Sequence, residues 1–243
     1  LLGSLVVFRV LRLRLAGRML WTMGRMAAQL ALVGLYLTYL FRFNNPFLNI
    51  GYILLMAGVA NAAMLRNSGL TFKLYAATLP ALVIALFSVL GFYTMLVFQP
   101  HPFYDARYLI PIAGMLLGNS MNRTIVTLER FYSSLRAHPD EYASYLTMGA
   151  TVREASMPFL RSAYMAGIAP NLASYATMGL VSLPGMMTGQ ILGGSPPSVA
   201  IKYQIAIILA IFAATELATL LCVWLSQRRS FDAFGFLRRD VLK

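Results

Sequence analysis

The sequence predicts an all-α, polytopic membrane protein of about seven transmembrane helices, the first one truncated, with a cytoplasmic segment of two short helices. Three observations predict it. The 243 residues are 59% hydrophobic and 12% charged, about half the charged share of a soluble domain. Several apolar runs approach or exceed the ~20 residues that a bilayer-spanning helix needs. Those runs are unbroken, whereas a β-barrel alternates polar and apolar residues in segments of about ten.

In chain order, "LLGSLVVF" at 1–8 reads as the tail of an apolar helix. Full spans are predicted over 26–43, 47–65, 74–98, 106–122, 164–190 and 199–226. The net charge of +12 would suggest nucleic acid in a soluble chain, but here it follows topology. With the end of the stub placed in the cytoplasm and the spans alternating, only Arg42, Arg107 and Lys202 of the 20 basic residues fall outside. This predicts a multi-pass plasma (inner) membrane protein with its N-terminus outside and its C-terminus in the cytoplasm, in contact with the lipid bilayer and not with nucleic acid. Residues 9–25 are basic enough to touch lipid headgroups. Cys222 is the single cysteine, so no intramolecular disulfide forms.

The inside segment 123–163 is too long for a simple turn and carries its own punctuation. Pro139 suits a first helical position, with Asp140 and Glu141 favouring the helix N-terminus. Gly149 suits a C-terminal cap. Thr151 to Glu154 fits a capping box that starts a second helix at once. Tyr142, Tyr145, Leu146 and Met148 would leave an apolar patch near the turn. Such a helix pair either lies on lipid headgroups or docks a soluble partner.

The chain has no "GK" dipeptide and hence no phosphate loop of the Walker type. His101 and His138 fall on opposite sides of the membrane, and no hydrolase or metalloprotease motif is present. No catalytic residue and no resident cofactor is assigned.

Glu216 lies near the middle of the last span, where an ionised carboxylate costs about 3 kcal/mol or more. It reads as a cation or proton ligand, or as a protonated side chain bonded to a neighbouring helix. Asn61, Asn119, Asn122, Asn171, Gln29, Gln190 and Gln204 are further polar groups in or near spans. Such groups mostly form bonds between helices, and one or two could line a pathway. Met186 and Met187 are soft donors that suit Cu(I), and equally flexible apolar filler.

Gly185, Gly189 and Gly193 recur every four residues, as do Gly114 and Gly118. That spacing predicts a helix face that a neighbour approaches closely. Pro184 should kink or interrupt the span there. "GGSPPS" then reads as the outer turn into the last span.

"YATMGLVSLPGMMTGQILGGSPPSVAIKYQ" resembles the signature of the FetB-type ABC permeases, the iron-export family. "IPIAGMLLGNSMNRT" at 110–124, "YLTMGATVREA" and "GRMAAQLALVGLYL" resemble that family's other blocks, in the same order along nearly the whole chain. The resemblance implies that 1–243 is a single ABC transporter transmembrane domain, with 123–163 as its cytoplasmic coupling segment. A second copy of the chain and cytoplasmic ATP-binding subunits are the implied partners, with ATP and Mg held by those subunits. The coupling role falls on Leu146, Gly149, Ala150, Arg153, Glu154 and Ala155. The signature falls on Leu183 to Gly189 and Ile201 to Gln204. Glu216, Asn171, Asn119, Gln190, Met186 and Met187 are the candidate pathway residues, Glu216 among them as metal ligand. Pro184, Gly185, Gly189 and Gly193 form the expected helix break and packing face. The implied activity is ATP-driven export of iron or another metal ion. The alternatives are an ABC permease for a nucleotide sugar or other organic anion, and a non-transporting membrane scaffold.

Overall fold

The computed structural model describes Val10, residues 16–232 and residues 234–241. The expected stub over 1–8 lies outside the described residues, as do Arg9, Arg12, Arg14 and Lys243. Among the described residues the chain forms α1 (Ala16–Phe43), α2 (Pro46–Asn67), α3 (Tyr75–Tyr93), α4 (Ala106–Ala137), α5 (Pro139–Thr147), α6 (Val152–Thr177), α7 (Gly185–Leu192) and α8 (Pro197–Ser230). A short 3-10 turn at Phe72–Leu74 leads into α3, and a π-helical turn at Thr94–Phe98 extends it.

Among the described residues, four stretches are long and apolar enough to cross a membrane: Ala16–Phe43, Pro46–Asn67, Phe72–Phe98 and Pro197–Ser230. α4 and α6 have the length of spans but less apolarity. α4 carries Asn119, Asn122 and Arg123 along its middle, and α6 is rich in small and polar residues. Helices shielded by other helices need less apolar surface than helices facing lipid. α4 is shielded in this way, packing along α2, α6 and α8, while α3 packs along α8 and α2. α1 sits at the other extreme, with Leu40 as its buried residue.

The loops that the charge pattern placed on one side do meet at one end. Asn45 caps α2 by accepting from the Phe47 amide. The Asn49 side chain donates to the Tyr104 carbonyl at 2.9 Å, and the Ala106 amide donates to Asn44 Oδ1 at 2.9 Å. At the opposite, basic end, Lys73 pairs with Asp240 at 2.8 Å and the Thr71 amide donates to the Val241 carbonyl. Asn61 makes the interhelical bond expected of it, donating to the Tyr75 carbonyl at 3.2 Å.

α4 and α8 run parallel and are joined by a ladder of polar pairs. Ser120 meets Thr215 at 3.4 Å, Thr124 meets Thr219 at 3.1 Å, and the Tyr132 hydroxyl meets Ser226 and Ser230 at 2.9 and 2.7 Å. Without water to compete, each pair satisfies groups that would otherwise be stranded in an apolar bundle. Around this ladder lie two apolar cores, one near Leu128, Phe131 and Leu65 and one near Leu86, Leu116 and Ile53.

Three local expectations need correction. The span expected over 164–190 is broken: α6 stops at Thr177, and the chain turns through Gly179 at φ +85° before α7 begins. The interruption therefore starts upstream of Pro184, which instead serves as the N-cap of α7. The glycine face is not packed within this chain: a Cβ at Gly185 or Gly189 would meet nothing, and one at Gly193 only the carbonyls of its own helix. A closely approached glycine is instead Gly167 of α6, where a Cβ would lie 2.3 Å from Thr127 Oγ1. Finally, 123–137 is no loop; α4 continues straight through it.

Candidate functional site

The helix pair expected to serve in coupling, at the basic end, folds as its punctuation predicts. Pro139 opens α5 at its first turn, with Asp140 and Glu141 beside it. The helix ends where the Gly149 amide donates to the Leu146 carbonyl at 3.0 Å and Gly149 takes φ +90°. An L side chain rarely adopts that conformation, so glycine is the residue that lets the chain reverse here. Thr151 and Glu154 then form a reciprocal capping box: Glu154 N donates to Thr151 Oγ1 at 3.3 Å, and Thr151 N donates to Glu154 Oε2 at 2.9 Å. The Thr151 hydroxyl also donates to Glu154 Oε2 at 2.6 Å, which with the backbone bond holds the Glu154 carboxyl below its usual range.

The six coupling candidates divide by exposure. Gly149, Arg153 and Glu154 face outward, joined by Met148, which is 74% exposed. Leu146 and Ala150 are half-buried against the core, and Ala155 is buried beneath them. Arg153 and Glu154, with Thr151, border an open groove of about 520 Å³ whose walls add Met157, Pro158 and Arg161. Sequence reasoning missed these three. Arg153, Met157 and Arg161 recur every four residues, a spacing that puts them on one helix face.

The expected apolar patch is mostly covered, by the chain's own C-terminal segment. Residues 231–232 and 234–241 fold back as a strap. The Tyr142 hydroxyl donates to the Gly235 carbonyl at 2.8 Å, and its ring stacks on Phe231 with centroids 5.9 Å apart. Burial, with the Asp232 carboxylate nearby, pushes the Tyr142 phenol up to about 12. Met148 is what remains of the patch on the surface.

Within the bundle, Glu216 is not isolated. It accepts a short hydrogen bond from Arg123 Nη1, and the Arg123 guanidinium also lies 4.8 Å above the Tyr164 ring. The charge pattern places Arg123 at the start of the inside segment 123–163, but it is buried in α4, about 26 Å along the axis from Ala106 at 1.5 Å per residue. Its Nε and Nη2 atoms have no hydrogen-bond partner among the described residues. The bundle thus holds a buried basic residue beside the carboxylate of Glu216.

The remaining pathway candidates do not gather around Glu216. Met187 and Gln204 border a cavity of about 530 Å³ near the break, and the Met187 amide donates to Gln204 Oε1 at 3.2 Å. Gln204 precedes Glu216 on α8 by a distance of about 18 Å. Met186 and Gln190 are half-buried on α7, and Gln190 Oε1 is buried without a partner among the described residues. Asn171 is half-buried on α6, while Asn119 is exposed on α4 and bonded to its own helix at Met115. Among the described residues, no three His, Cys, Asp or Glu side chains cluster as a metal site.

Comparisons with known proteins agree on one family. A UPF0014 membrane protein of Synechocystis is 34% identical over 222 residues, covering 90% of this chain and 85% of that protein. Protein ALUMINUM SENSITIVE 3 of Arabidopsis thaliana is 32% identical over 214 residues, 88% of this chain and 77% of that protein. The Escherichia coli protein named probable iron export permease protein FetB is 29% identical over 222 residues, 91% of this chain and 85% of that protein. No solved structure matches significantly. The model of the uncharacterised protein family UPF0014 matches residues 1–231, and the chain is a multi-pass membrane protein belonging to that family.

Proposed function

We propose that the chain is the permease subunit of an ATP-driven ABC exporter whose cargo is iron or another metal ion. The observation that carries this reading is the Gly149 elbow between two capped helices at the basic end, with Met148 exposed beside it and Arg153 and Glu154 lining an open groove. The basic end faces the cytoplasm by the charge rule, where an ATP-binding subunit would seat on that groove. ATP hydrolysis belongs to that subunit. The relative named as a probable iron export permease supports the cargo.

Two copies of the chain would enclose the pathway. Asn119 and Asn122 are exposed on α4 at a depth where lipid cannot satisfy an amide. A second copy or a water-filled path between copies removes that penalty. The uncovered glycine face of α7 offers a further close-packing surface for the second copy. Glu216 serves in this reading as the partner that neutralises Arg123, with only 22% of its side chain open to a passing cation.

The test is co-purification with a cytoplasmic ATP-binding subunit, followed by transport of iron into reconstituted vesicles. Gly149→Trp or Arg153→Glu should abolish assembly or uncouple ATP hydrolysis from transport. Intact coupling in both variants refutes the assignment. A second reading, export of an organic anion such as a nucleotide sugar, draws on the buried Arg123. Vesicles loaded in parallel with iron and with UDP-glucose separate the two, and a partner ATPase that neither cargo stimulates favours the scaffold reading.

A further inference from the structure

At the basic end, away from the groove at the elbow, a second hollow of about 260 Å³ opens between the start of α3, the end of α8 and the C-terminal strap. Lys73, Arg228, Arg229 and Arg238 line it against the single carboxylate of Asp240. That carboxylate is already engaged. It accepts from Lys73 at 2.8 Å and from Arg238 at 3.1 Å, and those bonds hold it below its usual range. Arg228 and Arg229 have no acidic partner among the described residues. The hollow therefore carries excess positive charge, with two guanidinium groups that no carboxylate neutralises among the described residues.

Its depth is that of a membrane surface. The apolar run of α8 ends at Leu225, and Trp224 beside it is 46% exposed. The Arg228 guanidinium stacks on Trp224 at 3.8 Å, which holds a cation against an exposed aromatic at the end of the apolar run. Phe72 and Phe236 are also exposed around the same end. Exposed aromatics beside a basic hollow between transmembrane helices match the chemistry of a phospholipid headgroup site.

We propose that this hollow binds the phosphate of an anionic phospholipid headgroup. Arg228 and Arg229 supply the charge-assisted bonds, and the acyl chains lie along the outer face of α8 past Trp224. A headgroup held there braces the strap, whose Phe231 stacks on Tyr142 of the coupling segment. The site is independent of the cargo and of the ATPase partner, so its failure leaves the coupling test standing.

The experiment places the full chain in nanodiscs of phosphatidylcholine with and without phosphatidylglycerol. Lipid retained after delipidation is read by native mass spectrometry, and unfolding by the thermal midpoint. The wild type should retain phosphatidylglycerol selectively and melt higher in its presence. Arg228→Gln combined with Arg229→Gln should lose roughly 30-fold in affinity for that lipid. Arg130→Gln combined with Arg136→Gln, at the same end but outside the hollow, should retain it. Equal retention of both lipids by the wild type overturns the proposal without any variant. An equal loss in the control pair replaces the site with general charge attraction, which also overturns it. Stabilisation by inorganic phosphate in phosphatidylcholine discs assigns the hollow to free phosphate instead of lipid.

Discussion

Arg123 shows how much a single residue's neighbours decide. In the sequence it follows the apolar run 106–122 and reads as an interfacial arginine. In the fold its side chain is 1% exposed and paired with Glu216. A buried charge that loses its partner costs about 3–5 kcal/mol, whereas replacing both charges with apolar groups is often neutral. Arg123→Met and Glu216→Leu should therefore each destabilise the chain by about 3 kcal/mol, and the two together should recover most of that. Denaturant unfolding in detergent checks the cycle. A double variant as unstable as the sum of the singles would mean the two residues are not coupled. The pairing was not legible because Arg123 and Glu216 are remote in sequence and on different helices. The carboxylate itself was legible, because a charge in an apolar run stands out alone.

Among the elements, the helix pair α5 and the start of α6 was the most legible, because capping chemistry is local. Pro139, Gly149, Thr151 and Glu154 act through backbone atoms within a few residues, so the sequence reports them directly. The Glu154 carboxyl is held below its usual range, so its contribution is fully present above an unfolded value of about 4.3 and is lost as pH falls through the folded value. The protection factors of the Thr151 and Glu154 amides, from NMR exchange corrected for the intrinsic pH dependence, should fall under acid in the wild type. In Glu154→Gln they should be insensitive to that acid range. Identical acid responses would show that the carboxylate does not hold the turn. The α6–α7 break was half legible. Pro184 and the glycines announced an interruption, but its start at Met178 depends on the Gly179 turn, and the glycine face finds no neighbour within one chain.

For the whole molecule, the unexpected feature is the C-terminal strap. It ties the coupling segment to the loop before α3, through Tyr142 and Gly235 at one point and Thr71, Lys73 and Asp240 at another. Movement of the Gly149 elbow is thereby linked to α2, α3 and α8 together. Tyr142→Phe keeps the ring stack but deletes the bond to Gly235, a loss of about 1 kcal/mol in denaturant unfolding. The phenol sits at about 12, so wild-type stability is fully present below the unfolded value of about 10 and declines as pH rises toward 12. The Phe variant should lack that part of the alkaline decline. An unchanged alkaline slope would mean that Tyr142 is not buried beneath the strap.

The sequence by itself determined the membrane class, the positions of most helices, the sidedness of the loops relative to one another and the punctuation of the coupling segment. Each follows from local hydropathy, charge or backbone capping, which need no knowledge of distant residues. Only the tertiary structure decided that Glu216 is paired and that α4 and α8 share a polar ladder. It alone placed Gly167 against Thr127, and it alone laid the last residues over the apolar patch of α5. Those outcomes depend on which helix faces meet, and nearly uniform apolarity along a membrane helix leaves that choice to side-chain shape and a few buried polar pairs.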